Sequence, residues 1–153
     1  MTQRFDIMNH VIIVTHGPLA AALLKSAEMI LEEDLPDVKA ICLGPQDNLD
    51  TARAKVELAL AEAENGATGQ GILVLVDLFG GTAANAAAWV LQDRVFEIVA
   101  GVNLPMLLEV LLNRDQMSAA QLADLAVKKG KQGVTDVGAA LWKAPAVVAA
   151  SEV

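Results

Sequence analysis

Apolar residues fall along the chain in short runs and helical stripes that alternate with one another. Val11 to Val14 is an unbroken apolar, β-branched run that predicts a strand. Thr15-His16-Gly17-Pro18 interrupts it, and Leu19, Leu23, Ala27, Ile30 and Leu31 then follow helical spacing up to Glu32. Pro18 suits the first turn of that helix, where a backbone N–H has no intrahelical acceptor to lose. The unit repeats. Val38 to Leu43 predicts a second strand and Gly44-Pro45 a turn; Leu49 to Glu64 predicts a helix with Asp47 and Asp50 at its start and Asn65-Gly66 at its stop. Gly71 to Asp77, with Ile72-Leu73-Val74-Leu75-Val76 at its centre, has the continuous apolar pattern of a strand covered on both faces.

After Leu78-Phe79-Gly80-Gly81, Thr82 opens an Ala-rich helix to Gln92, whose small side chains permit close approach to a sheet. Phe96 to Ala100 predicts a fourth strand and Leu104 to Leu112 a short helix. Ser118 with Gln121 makes a capping box for Ala119 to Lys129, and Lys128, Lys129 and Gly130 make a C-terminus. Strands alternating with helices predict one α/β domain, an open and mainly parallel four-stranded sheet with helices on both faces and right-handed crossovers. With the common order, its strands lie 2-1-3-4.

Composition narrows this picture. A chain of 153 residues buries about two-thirds of its unfolded surface as one domain. With 54% hydrophobic but only 3% aromatic residues, the core is built from Ala, Val, Leu and Ile. Every apolar run is cut well before the 18 or so residues of a membrane span. Arg4 ahead of Val11 to Val14 resembles a secretory start, but Asp6, His16, Gly17 and Pro18 break that pattern. Cys42 is the single cysteine, which excludes an internal disulfide and a cysteine-rich metal site and reads as a buried small hydrophobe in a reducing compartment. The net charge of −8 disfavours nucleic acid and suits basic protein partners.

In open parallel sheets reactive groups gather beyond the carboxyl ends of the strands. Two loops fall there in neighbouring strands: Thr15-His16-Gly17-Pro18 after the first, and Asp77-Leu78-Phe79-Gly80-Gly81-Thr82 after the third. A neutral histidine is a nucleophile, and a carboxylate on one ring nitrogen fixes the tautomer and stabilises charge on the ring. Asp77 is the candidate carboxylate for His16. Gly80, Gly81 and Thr82 lead into a helix, so their amides and the Thr82 hydroxyl form a candidate anion cradle. From spacing alone, the same residues also read as a solvated histidine, a turn aspartate and a helix cap.

Thr15-His16-Gly17, Val76-Asp77-Leu78-Phe79-Gly80-Gly81-Thr82 with Asn85, and Ala100-Gly101-Val102-Asn103-Leu104-Pro105-Met106-Leu107 with Glu109 recur in one order along a βα chain. Together they resemble the mannose-family IIA domains of the bacterial phosphoenolpyruvate-dependent sugar phosphotransferase system over residues 8 to 140. The resemblance implies that His16 is phosphorylated on Nε2, that Asp77 bonds the other ring nitrogen, and that Gly80, Gly81 and Thr82 cradle the phosphate. Thr82 stands where the family usually has Ser, and Ala83-Ala84 where it commonly has Pro-Phe. Asn103 to Met106 match a recurrent segment whose role reads as structural, and His10 reads as a surface or strand-start residue.

The resemblance further implies a cytoplasmic phosphocarrier that accepts a phosphoryl group from phospho-HPr and passes it to a IIB protein or domain. Its contact with the membrane is indirect, through IIC and IID, and neither metal nor cofactor is implied. Pro18 and Phe79 would centre the docking surface. It implies a homodimer as well, with an added antiparallel strand from around Val134 to Leu141. Residues 1–7 read as a leader or a misassigned start, 8–142 as the domain, and 143–153 as a flexible tail or linker stub. Other readings of the same residues are the phosphodonor subunit of a dihydroxyacetone kinase, a regulatory phosphohistidine protein, and a receiver-like domain phosphorylated on Asp77.

Overall fold

The computed structural model describes residues 8–66, 71–90 and 96–142. The expected leader (1–7), the tail (143–153) and the end of the third helix at Gln92 lie outside the described residues. The elements run β1 (His10–His16), α1 (Leu19–Leu31), β2 (Lys39–Leu43), α2 (Leu49–Gly66), β3 (Ile72–Val76), α3 (Thr82–Val90), β4 (Glu97–Ala100), α4 (Leu104–Asn113), α5 (Ala119–Gln132) and α6 (Val137–Trp142). The four strands form one sheet in the order β2-β1-β3-β4, and every pairing is parallel. β1 is longer than its apolar run predicts. Thr15 and His16 stay in register with Cys42 and Leu43 of β2, so the reactive loop begins only after His16.

Strand side chains alternate between two cores. Val11, Ile13, Leu73, Leu75 and Val99 point into the layer of α1, α4 and α5. Ile12, Val14, Ile72, Val74 and Val76 point into the layer of α2 and α3. Burial on both faces explains why β3 reads as a continuous apolar run. Ala83, Ala86 and Ala87 of α3 are fully buried, which brings that helix close to the sheet. The Arg53 guanidinium lies over the Trp89 ring, 3.4 Å from its centroid, and clips α2 to α3. Cys42 is half-buried at the margin of the first core rather than enclosed, because β2 is an edge strand.

The Gly-Val-Asn-Leu-Pro-Met segment is structural. The Asn103 side chain accepts the Met106 N–H at 2.9 Å as the N-cap of α4, and its amide donates to the Gly130 carbonyl of α5 at 3.0 Å. A Cβ on Gly130 would lie 2.5 Å from the flexible end of Met106, and one on Gly133 2.5 Å from the rigid Pro105 ring. α5 opens with the expected capping box between Ser118 and Gln121.

The C-terminal segment differs from the extended strand expected around Val134 to Leu141. In the single chain Val137–Trp142 is a short helix. Asp136 starts it, its carboxylate accepting the Ala139 N–H at 2.8 Å and its carbonyl the Ala140 N–H at 3.0 Å. None of its residues is buried.

The α4–α5 contact predicts an order of mutational cost. Gly133→Ala should destabilise the domain by about 1–3 kcal/mol in urea denaturation, because a proline ring cannot yield. Gly130→Ala should cost less, since the Met106 methyl group can turn aside. Equal costs would show that this helix contact is looser than its geometry.

Candidate functional site

The site stands at the carboxyl end of the sheet, where β1 and β3 deliver their loops side by side. Beyond the last β1–β3 pair, Val14 with Val76, backbone N–H groups continue to alternate between neighbours. Gly17 donates to the Leu43 carbonyl at 2.8 Å, on the β2 side. His16 donates to Asp77 Oδ2 at 2.9 Å, on the β3 side. The His16 ring nitrogen Nδ1 lies 2.9 Å from that same oxygen. One carboxylate oxygen therefore fixes both the backbone and the ring of the histidine. Gly17 continues the chain at φ +57°, a left-handed conformation that favours glycine, and so turns it into α1.

Electrostatics give the ring a definite proton arrangement. Burial pushes the Asp77 carboxyl up, but the hydrogen bonds from the His16 backbone and ring, together with the His16 charge, outweigh it and hold the group below the usual aspartate value. Asp77 is thus ionised at neutral pH and only accepts hydrogen bonds. Nδ1 must then carry the hydrogen, which leaves the lone pair of a neutral ring on Nε2. The His16 side chain is 49% exposed and Asp77 only 16%. The histidine is offered to a partner and the aspartate is held behind it, opposite to what a receiver-like domain phosphorylated on Asp77 requires.

The second loop closes over the ring. Gly80 turns at φ +78°, and the Asn85 amide holds its carbonyl at 3.3 Å. A Cβ on Gly81 would lie 3.1 Å from His16 Cε1, so the ring packs directly on the Gly81 backbone. Asn85 N–H to Gly81 carbonyl, at 2.9 Å, is the first helical bond of α3, and the N–H groups of its opening residues, Thr82 among them, precede that ladder. The Gly81 N–H itself reaches the Leu78 carbonyl at 3.3 Å. Of the predicted residues, His16, Asp77 and Gly81 meet directly, with Gly80 and Thr82 flanking Gly81 in the same turn. His10 lies at the far end of β1, beside a cleft of about 180 Å³ shared with Asp37, Lys39 and Glu62.

The two loops that meet at the histidine expose apolar side chains. Phe79 is 88% exposed, and Leu78, Pro18 and Leu19, in or next to the same two loops, are exposed as well. Leu78 and Leu19 are absent from the sequence expectation, because each reads as an ordinary apolar position of its segment. Clefts of about 470 and 410 Å³ lie elsewhere, one beside Lys25 and Glu32 and the other beside Pro105 and Lys129. Among the described residues no helix is long and apolar enough to cross a membrane.

The family described as PTS system fructose IIA component, EIIA-man, matches residues 10–127. The chain belongs to this family. An EIIA-man relative, the PTS system mannose-specific EIIAB component of Escherichia coli (strain K12), is 42% identical over 126 residues, 81% of this chain and 38% of that protein. The chain therefore spans well under half the length of that relative. The PTS system sorbose-specific EIIA component of Lacticaseibacillus casei is 36% identical over 119 residues, covering 77% of this chain and 83% of its own. Among solved structures, the mannose/sorbose specific IIA subunit of the phosphotransferase system from Enterococcus faecalis superposes with a TM-score of 0.75 at 30% identity, covering 85% of this chain and 95% of that one. Like the EIIA fold of that structure, this chain has an α/β architecture built on a parallel sheet.

Two outcomes follow from the site geometry. A carboxyl held below its ordinary value stabilises the fold at pH above that value and ceases to do so as pH falls through its depressed one. The stability difference between wild type and Asp77→Asn should thus close as the pH is taken below the ordinary aspartate range, measured by denaturant titration across pH. A gap that persists in acid would mean that the carboxylate charge is not what stabilises. Gly81→Ala should leave stability within about 1 kcal/mol yet shift the His16 ring, slowing any reaction at Nε2 by about three- to tenfold; quantitative phosphorylation kinetics would detect it.

Proposed function

We propose that this EIIA-man chain is a phosphocarrier of a sugar phosphotransferase system. Phospho-HPr docks over the Pro18, Leu78 and Phe79 surface and delivers its phosphoryl group to His16 Nε2, and a IIB protein or domain collects it. The observation that carries this reading is the exposed His16 ring whose Nδ1 is held by Asp77. In the transfer the donor's N–P bond breaks as a P–Nε2 bond forms, and the donor ring recovers its lone pair. Positive charge that develops on the His16 ring is met by the Asp77 carboxylate through Nδ1–H. In the Gly80-Gly81-Thr82 turn the Thr82 amide and hydroxyl serve the spreading charge on the phosphoryl oxygens, and the Gly81 amide joins them by giving up its long bond to the Leu78 carbonyl.

An open apolar surface suits a protein donor rather than a small molecule, which requires a concave site. The net charge of −8 favours a basic carrier. The chain acts in the cytoplasm, meets the membrane only through IIC and IID, and works as a homodimer. Support for the dimer comes from Val134, Val137, Leu141 and Trp142, all exposed apolar residues of one C-terminal segment. The names of the relatives, mannose, sorbose and fructose, bound the class of sugar served.

Incubation with phosphoenolpyruvate, enzyme I and HPr should place one acid-labile, base-stable phosphoryl group on the wild-type chain. His16→Ala should abolish it, and Asp77→Asn should retain the fold while slowing transfer by about tenfold or more. Label that survives in His16→Ala but disappears in His10→Ala would overturn the proposal.

A further inference from the structure

α1 begins without a cap of its own. Its N-cap position is Pro18, whose side chain makes no capping hydrogen bond, and its ladder opens only with Ala22 N–H to the Pro18 carbonyl at 3.0 Å. The N–H groups ahead of Ala22 therefore need acceptors from outside the helix. For Ala20, a fully buried residue, that acceptor is Thr15 Oγ1 at 2.7 Å. Thr15 is itself fully buried, at the end of β1 and three residues upstream of the N-cap position.

Strand alternation gives this bond its significance. Thr15 follows Val11 and Ile13 onto the face that carries α1, whereas His16 follows Ile12 and Val14 onto the face that carries α3 and Gly81. Thr15 ties its strand end to the helix on one face while Asp77 ties His16 on the other side. Between Thr15 and α1 stand only His16, Gly17 and Pro18, with His16 tied to Asp77 and Gly17 bonded to β2.

We infer that Thr15 is a positioning residue for His16: its buried hydroxyl replaces the missing cap of α1 and so locks the turn that holds the histidine against Asp77 and Gly81. Loss of the hydroxyl leaves the Ala20 N–H buried without an acceptor. The turn then relaxes, and the ring loses its fixed distance to Asp77 Oδ2. The inference rests on the phosphocarrier reading only for its kinetic arm.

The test compares wild type, Thr15→Val, Thr15→Ser and Leu122→Ala. Leu122 is a fully buried core residue early in α5. That end of α5 packs near Gly71, ahead of β3, and so lies at the opposite end of the sheet from His16. Transfer from phospho-HPr is timed, and the His16 ring nitrogens are followed by 15N NMR at about pH 8.5, where an ordinary histidine is neutral. Thr15→Val is expected to slow transfer about tenfold and to erode the Nδ1–H tautomer. Thr15→Ser should restore both, and Leu122→Ala should lower thermal stability without moving either. Should Thr15→Val not fold, Thr15→Ala takes its place. Unchanged rate and ring signals in the hydroxyl-free variant overturn the inference, as does an equal tautomer change in Leu122→Ala. Absence of label on wild type refutes the phosphocarrier reading instead, and the NMR arm still decides the role of Thr15.

Discussion

A single oxygen, Asp77 Oδ2, accepts two hydrogen bonds from one residue, the His16 backbone N–H and the ring Nδ1–H. The chemistry depends on that double acceptance. A ring held only through Nδ1 could swing with its backbone, and a backbone held alone would leave the ring free to rotate or change tautomer. Because Asp77 is shielded and ionised, the constraint also sets which nitrogen faces outward. The other carboxylate oxygen, Oδ1, is enclosed with no hydrogen-bond partner among the described residues. Its burial is a cost that the two bonds to Oδ2 offset.

The remainder of the fold brings these two residues together. Asp77 directly follows Val76, whose carbonyl receives both the Gly101 and the Val102 N–H, at 2.9 and 3.0 Å. The loop after β4 thereby fixes the base of the carboxylate, and the α4 that follows is anchored to α5 through Asn103 and Gly130. At the opposite end, Arg114 makes a bidentate pair with Asp37, and its carbonyl receives the Asn9 N–H and side-chain amide. These contacts join the start of β1, the approach to β2 and the end of α4. Their value is geometric rather than a large gain in stability, since a buried ion pair returns little beyond its own desolvation.

Much of this was legible in the residues. The apolar β-branched runs located the strands, and the right-handed βαβ rule with the common strand order made His16 and Asp77 neighbours. The close approach of α3 followed from its alanines. Other features were hidden for physical reasons. Thr15 read as the first loop residue because a polar side chain after an apolar run marks a strand end, yet pairing with Cys42 carries the strand two residues further. Its bond to Ala20 escapes recognition because capping patterns start at the N-cap, whereas this acceptor lies upstream of it. The seating of the ring on Gly81 is a contact between loops, and no local pattern encodes it. At the C-terminus, the family resemblance implied an added strand around Val134 to Leu141, but Asp136 caps a helical turn, and in the single chain that local bond prevails.

The exposure of Phe79 around a half-exposed histidine has a pharmacological consequence. A compound aimed at Nε2 would have to hold to exposed loop side chains, which enclose little of it. An effective antagonist would have to be protein-sized, covering Leu78, Phe79 and Pro18 together, and its selectivity would be read from the loops.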